Sequence, residues 1–580
     1  MKESKHSLIN RLLYYAETNP QHTAIASSKI ELTYAALAQR VQVQAEAFSD
    51  QGITSNSTIG IKCADDVQHL IFCLAAIYVG ATSFTIATFE AGETENNQQH
   101  FPIDIIAEED AVDHVFVEGF SPGIKHAEAA KLWFSTSGTS GTAKRVVHCD
   151  SGLVLQAHRH ISSAQERFAC LSSIEHNFAK RHRLYCIAMG ATNVFINAEA
   201  SLVAQCLSLN ANVLHVSAYQ AHELLGVANI NKLHNTRLKI GGSHVPASLR
   251  KQLRSHITQQ LQAGYGTTET GAIAFTDAHS SSFSESVGKA LPGIEIRSVS
   301  ENREPLAQGT TGELAIRCPG MFHEYFEQTD LSNERLVNDW FYTGDIGYLD
   351  KHKNIYLCGR SDDMFVFNSL NIYPQNIESQ ICQYPYISDA AVLPQASELH
   401  GNIPVALVVA NPGKKIDLLK LKKFVRDKVG IRCPRQFTIV ENIPRNNSGK
   451  ILRKKSIELC ISAQQLREAI IDTLEQSNIK NFLNTESVTA FKKGEGDIPT
   501  KSIGVDSLTR MEILAMLETE YAAVIMPREF SQFKSLNDYV NCALKKSMEH
   551  NSSIQEPKTT AKAAQRRKKA TYSHIISESI

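Results

Sequence analysis

An α/β multidomain protein is what this sequence predicts, and three observations predict it. Apolar strand-like runs alternate with helical ones over residues 1–358, a second α/β segment follows over 359–460, and helices joined by polar loops fill 463–547. In the first region Thr58-Ile59-Gly60-Ile61-Lys62 reads as a strand and Val67 to Val79 as the helix after it. The most apolar stretch, Leu70 to Ala87, is interrupted by Cys73, Tyr78, Gly80, Thr82 and Ser83, so it reads as a buried helix–turn–strand and not as a membrane span. Asn193-Val194-Phe195-Ile196 is a further strand. Gly359-Arg360-Ser361-Asp362 punctuates the chain, and strands at Ala390-Ala391-Val392-Leu393 and Val405 to Val409 follow. That segment closes on the loop-like Pro444-Arg445-Asn446-Asn447-Ser448-Gly449-Lys450. Leu508, Met511, Leu514, Leu517 and Tyr521 recur at helical spacing and predict one amphipathic face. Residues 548–580, with Gln565-Arg566-Arg567-Lys568-Lys569, are poor in apolar content and read as a disordered basic tail.

At 580 residues the chain exceeds one core and implies about three or four domains. An apolar fraction of 43% with 21% charged residues suits a water-soluble protein, and a net charge of -1 argues against general nucleic-acid binding. No apolar run follows Met1-Lys2-Glu3-Ser4-Lys5-His6, so neither a signal peptide nor membrane attachment is expected. The twelve cysteines contain no CxxC pair, which predicts reduced thiols in a cytoplasmic protein and no zinc site.

Two segments carry chemistry. Ser135-Thr136-Ser137-Gly138-Thr139-Ser140-Gly141-Thr142-Ala143-Lys144 offers small hydroxyls, two glycines and a terminal lysine, which suit phosphate oxygens. It is not GxxxxGK[ST], and alone it reads equally as a flexible linker. Gly504-Val505-Asp506-Ser507-Leu508 precedes the amphipathic helix and is either a helix cap or a prosthetic-group attachment site.

Five ordered motifs resolve the first ambiguity. The hydroxyl-rich loop is followed by Gly264-Tyr265-Gly266-Thr267-Thr268-Glu269-Thr270, Tyr342-Thr343-Gly344-Asp345, Gly359-Arg360-Ser361-Asp362-Asp363 and Asn447-Ser448-Gly449-Lys450. With Leu32-Thr33-Tyr34 and Ala75 to Ala81 they resemble the adenylate-forming superfamily of acyl-CoA synthetases, aryl-acid ligases and nonribosomal peptide synthetase adenylation domains, over most of positions 30 to 455. The C-terminal helices resemble an acyl or peptidyl carrier protein. The resemblance implies an adenylation core over 1–358, a small lid over 359–460 and a helical-bundle carrier over 463–547. It further implies ATP, Mg²⁺ and 4'-phosphopantetheine on Ser507, with a phosphopantetheinyl transferase and downstream assembly-line enzymes as partners.

By the same resemblance, Thr136, Ser137, Gly138, Thr139, Ser140, Gly141 and Lys144 wrap the β- and γ-phosphates. Thr268 contacts the α-phosphate, and Glu269 holds the metal. Gly242, Ser243, Tyr265, Gly266 and Thr267 flank the adenine. Asp345 suits the ribose diol because a carboxylate accepts two hydrogen bonds, and Arg360 reinforces it. Lys450 bridges the acid's carboxylate and the α-phosphate, and Asp362 is the hinge of the lid. Val366 and Ser369 stand where the family commonly has Lys and Gly, which puts the thiolation geometry in question.

The acid is read from the segment opening at Glu175. Asn177 occupies the place where amino-acid-activating members have a carboxylate, so an aryl or other non-α-amino carboxylic acid is expected; the alternative is that Asn177 is only a cap. Phe178, Arg181, Gly264 and Ala272 complete the expected pocket. Arg181 either meets a second anionic group or belongs, with Lys180, His182 and Arg183, to a solvated basic face. The expected activity is ATP-dependent loading of the acid onto the chain's own carrier. Acid–CoA ligation, amino-acid activation and a non-catalytic scaffold are the alternatives.

Overall fold

The computed structural model describes residues 7–86, 104–108, 130–136, 144–197, 200–243, 245–277, 285–367, 370–397, 401–445, 450–476, 484–521, 523, 525–530 and 532–554. The expected phosphate loop from Ser137 to Gly141, Ser369, Asn447 to Gly449 and the basic run at 565–569 lie outside them. The described residues divide into two compact units, one up to Leu357 and one from Cys358.

The first unit is built on three sheets. The largest has nine strands in the order Lys289–Ala290, Gly271–Phe275, Leu261–Thr267, Arg237–Gly241, Val213–Ser217, Arg167–Cys170, Thr192–Val194, Thr23–Ala26 and Glu31–Thr33. Its centre is parallel and both edges are antiparallel. Successive side chains of a strand face opposite ways, so Phe168, Cys170 and Val213 enter one core while Ala169, Leu171, Leu214 and Val216 enter another. Cores on both faces explain why these strands read as unbroken apolar runs. The helix Asn177–Met189 covers one face and stops at Gly190, whose φ of 73° suits glycine and whose added Cβ would strike the Tyr15 ring at 2.6 Å. A six-stranded sheet contains Lys131–Thr136 and Lys144–Cys149 as antiparallel neighbours, and a five-stranded sheet contains Gly312–Arg317 and Trp340–Leu349. Between Leu70 and Ala87 the chain forms the end of the buried helix Asp66–Tyr78, the turn at Gly80 and the strand Thr82–Thr85, as expected. No helix among the described residues is long and apolar enough to cross a membrane.

The second unit opens with a five-stranded sheet whose core is Phe365, Ile372, Ile377, Val392, Val408, Leu421 and Val425. A single helix, Arg453–Gln476, then spans positions 461 and 462, where two separate domains are expected to meet. Its first turns place Leu459 and Cys460 against Leu393, Val405 and Leu407 of the sheet. Its later turns place Ala463, Leu466, Ile470 and Leu474 in a helical core with Phe491, Leu517, Leu536 and Tyr539. The two apolar stripes keep one helical phase, so nothing in the packing interrupts the helix. Ion pairs Lys422–Glu495 and Lys545–Glu441 join the same two parts.

The helix Ser507–Tyr521 is present, and Leu514, Leu517 and Tyr521 of the predicted face pack on the helical core, with Met511 the exception. Ile513, Leu514 and Leu517 are buried while Met511 is 57% exposed. Thr509 and Ile513, one turn apart, are buried beside them, so the buried stripe extends to one side of the predicted one.

Candidate active site

The strand Leu261–Thr267 leads into a tight turn that returns as Gly271–Phe275. Gly266 permits it: a Cβ there would lie 2.5 Å from the Gly271 carbonyl oxygen. Every carbonyl of the turn is engaged from behind. Arg181 donates to Thr267 O and Thr268 O, His148 donates through Nε2 to Thr268 O at 2.8 Å, and the Phe322 N–H donates to Glu269 O at 2.8 Å. Arg159 donates to Thr270 O at 3.0 Å. With the carbonyls held away, Thr268 and the Glu269 carboxylate remain for a ligand, beside the buried Arg181 and half-buried Arg159 guanidinium groups, which favour anions.

The Tyr325 hydroxyl donates to Glu269 Oε1 at 2.7 Å, and the Lys144 ammonium stands 5.9 Å from the centre of the Tyr325 ring. Tyr325 therefore gathers the lysine that closes the hydroxyl-rich segment and the expected metal ligand. On the other side Tyr265 donates to Asp345 Oδ2 at 2.6 Å. Asp345 is braced in turn: its N–H donates to Thr343 Oγ1 at 2.9 Å, and that hydroxyl donates to Leu314 O at 2.8 Å. A carboxylate oriented in this way, beside a tyrosine ring, fits a nucleoside. Gly242, with φ of 90°, leaves open space where a side chain would stand.

Asn177 begins the helix Asn177–Met189, and its amide donates to Ser135 O at the end of the strand leading into the phosphate segment. Phe178 packs on Gly241, where a Cβ would be 3.1 Å from the ring. Gly266 pairs with Ala272, and Gly264 with Phe275. The solvated-face reading of Lys180 to Arg183 is overturned: all four are buried. Burial pushes the Arg181 guanidinium below its ordinary value, and Tyr185 and Glu269 oppose the shift. Nη1 and Nη2 both donate to the turn, so Arg181 shapes the site.

In the second unit Arg360 forms a bidentate pair with Asp362, 2.9 and 3.2 Å. Val366 is an exposed strand residue. Lys450 is exposed, three residues before Arg453, which pairs with Glu378 at 3.0 Å and Asp363 at 3.4 Å. At the last motif, Asp506 Oδ1 accepts from the Thr509 N–H at 2.8 Å. Asp506 is the cap and Ser507 opens the helix, so the capping role does not fall on Ser507. Position 507 then lies where a helix N-terminus favours an anionic phosphodiester.

Sequence reasoning missed His148, Arg159 and Tyr325. The available signal was a polar residue in an apolar strand, as in Val146-Val147-His148; the reach of Arg159 and Tyr325 across the fold leaves no local trace.

Three family models match segments of the chain. Residues 93–326 match the AMP-binding enzyme family, 376–450 the AMP-binding enzyme C-terminal domain, and 493–543 the phosphopantetheine attachment site. The chain is 24% identical over 504 residues to peroxisomal OPC-8:0-CoA ligase 1 of Arabidopsis thaliana, covering 76% of this chain and 91% of that one. It is 23% identical over 491 residues to 2-succinylbenzoate–CoA ligase of Geobacillus kaustophilus, covering 79% and 99%. The solved structure of the anthranilate CoA ligase AuaEII with anthranoyl-AMP superposes with a TM-score of 0.69 at 17% identity, covering 79% of this chain and 98% of that one, which shows a shared fold.

Proposed function

We propose, for a chain that belongs to the adenylate-forming superfamily of ligases and carries a phosphopantetheine attachment domain, that it activates an aryl or other non-α-amino acid with ATP and loads it onto its own Ser507. In this reading it primes a secondary-metabolite assembly line whose next enzyme docks on the carrier. Residues 1–358, 359–460 and 463–547 are its adenylation core, lid and carrier.

The observation that carries the proposal is the pairing, in one chain, of the braced turn at Thr267–Thr270 with a capped helix that opens at Ser507. The acid's carboxylate attacks the α-phosphorus of ATP, giving an acyl-adenylate and pyrophosphate. Negative charge moves onto phosphate oxygens in this step, so preplaced donors and cations are the catalytic resource. Thr268 and Lys450 supply them at the α-phosphate, Lys144 supplies one at the β- and γ-phosphates, and Asp345 with Tyr265 holds the nucleoside. Glu269, oriented by Tyr325, would hold Mg²⁺, which when bound neutralises phosphate charge. The arm on Ser507 would supply the thiol that takes the acyl group from the adenylate with release of AMP, and being on the same chain raises its effective concentration. Asn177 places no carboxylate near the acid, which disfavours an α-ammonium group.

A second reading is acid–CoA ligation, favoured by the names of the relatives. Acid-dependent ATP–pyrophosphate exchange tests the common step and should be abolished in Lys450→Ala and retained in Ser507→Ala. Release of acyl-CoA by the unmodified protein at a rate matching exchange would favour the second reading over self-loading.

A further inference from the structure

We propose that His160, His182 and His215 form the far end of the acid pocket and select an aryl acid bearing an oxygen substituent remote from its reacting carboxylate. The inference rests on the acid-activating reading above and names its substrate class. His160 ends the helix Asp150–His160, His182 stands one turn after Phe178, and His215 is central in the strand Val213–Ser217. Their ring centres lie 4.0 Å (His160–His182) and 4.2 Å (His182–His215) apart, and all three are buried. Both ring nitrogens of His160, Nε2 of His182 and Nδ1 of His215 have no hydrogen-bond partner. Four polar atoms without protein partners in one buried place give a ligand both donors and acceptors to meet.

Aromatic rings enclose the cluster. Phe168 stacks on His182 with an interplanar angle of 4°, Phe178 lies 3.9 Å from His215, and Phe275 lies 5.3 Å from His160. The nucleotide motif backs directly on to it. A Cβ at Gly241 would stand 3.6 Å from His215 Nε2, and one at Gly264 would stand 2.6 Å from the Phe275 ring. Glycine at both positions keeps the wall between nucleotide strands and histidines thin. An acid reacting on the nucleotide side therefore presents its other end to the three rings, and aromatic walls suit a planar ring.

The same three histidines bring ligand atoms within 4.8 Å of one another, which a metal ion would also require. The surroundings decide against a dication. The buried Lys239 ammonium donates to His160 O at 2.7 Å, and Arg181 and Arg183 are buried on the helix that carries His182. Among the described residues no carboxylate belongs to the cluster. An oxygen acceptor gains from neighbouring cations that would repel a metal. Burial, with help from neighbouring cations, holds the three imidazoles below the ordinary histidine range. At neutral pH His160 therefore offers one N–H and one lone pair, whereas His182 donates its Nδ1–H to Phe178 O and offers only the Nε2 lone pair, to a hydroxyl donor.

The test uses the full chain and three probes: benzoate, 4-hydroxybenzoate and benzene-1,4-dicarboxylate. Thermal shift reports binding and pyrophosphate exchange reports activation, for wild type, His182→Phe and His215→Gln. At least one oxygenated acid should raise the wild-type Tm and exceed benzoate at least tenfold in kcat/KM. Each variant should bring that ratio to within about twofold; His215→Gln serves if His182→Phe fails to fold. Preference for one oxygenated probe over the other identifies a phenol or a second carboxylate. A Tm shift without exchange with any acid would leave the pocket standing and remove the ligase reading. Absence of any shift, equal ratios in wild type and both variants, or stoichiometric zinc in wild type that the variants lose would overturn the proposal.

Discussion

Acidification from pH 7 to 5 is expected to destabilise the first unit through His69. This residue is buried in the helix Asp66–Tyr78, where Nδ1–H donates to Cys63 O at 3.1 Å and Nε2 accepts from the Thr85 hydroxyl at 3.1 Å. Lys180 donates to the same hydroxyl, so a proton on Nε2 would make the Thr85 hydroxyl turn its own proton away and would face an ammonium group. Burial first, and Lys180 second, lower its pKa from 6.5 to about 3 against a smaller opposing effect of the Cys63 bond. Between those values the unfolded chain binds the extra proton and the folded chain does not. Stability from this group is thus full above pH 6.5 and falls as the pH drops toward 3, by ~1.4 kcal/mol per pH unit, or ~2 kcal/mol at pH 5. His148, His160, His182 and His215 are shifted the same way and add to the slope, while the raised carboxyl of Asp66 acts oppositely. His69→Gln removes one titrating group and keeps an amide donor and acceptor. Urea unfolding of both proteins at half-unit pH steps should show the wild-type penalty relative to the variant growing by ~2 kcal/mol between pH 7 and 5. Parallel curves for the two proteins would refute the reasoning. The second unit has no histidine from Gly401 to Glu549 and supplies an internal control.

Three further outcomes concern the site. Arg181→Met leaves Thr267 O without its donor, and should cost ~1–3 kcal/mol in chemical denaturation and lower pyrophosphate exchange at least tenfold. Tyr265→Phe removes the donor to Asp345 and should weaken kcat/KM for ATP about tenfold with Tm nearly unchanged, because the ring itself still packs. Gly266→Ala meets backbone atoms at 2.5 and 3.1 Å, so the turn must open; a loss of ~1–3 kcal/mol and of exchange is expected, with unfolding and exchange assays as readouts.

The layered fold and the order of motifs were legible because both are local. Strand runs such as Leu238-Lys239-Ile240 alternate with amphipathic helices, and Gly264 to Thr270 or Tyr342 to Asp345 are contiguous. What sequence could not show is sidedness at a distance. Lys180 to Arg183 look like a surface run, yet they are buried, with Lys180 and Arg181 reaching partners as distant as Thr85 and Thr267. The fused helix Arg453–Gln476 was illegible for a related reason, since two separate cores share its phase. Met511 satisfied the helical period and still faces solvent, where spacing alone could not choose between two overlapping stripes.

The central claim is that one chain activates an acid and loads it onto itself. Intact-protein mass measurement tests it most directly, on phosphopantetheinylated protein given ATP, Mg²⁺ and single acids from an aryl, acyl and amino-acid panel. The account predicts a gain of one acid less water with an aryl acid, absent in Ser507→Ala and in Lys450→Ala. Failure of Ser507 to accept phosphopantetheine, or an acyl gain that persists in Ser507→Ala, would contradict it.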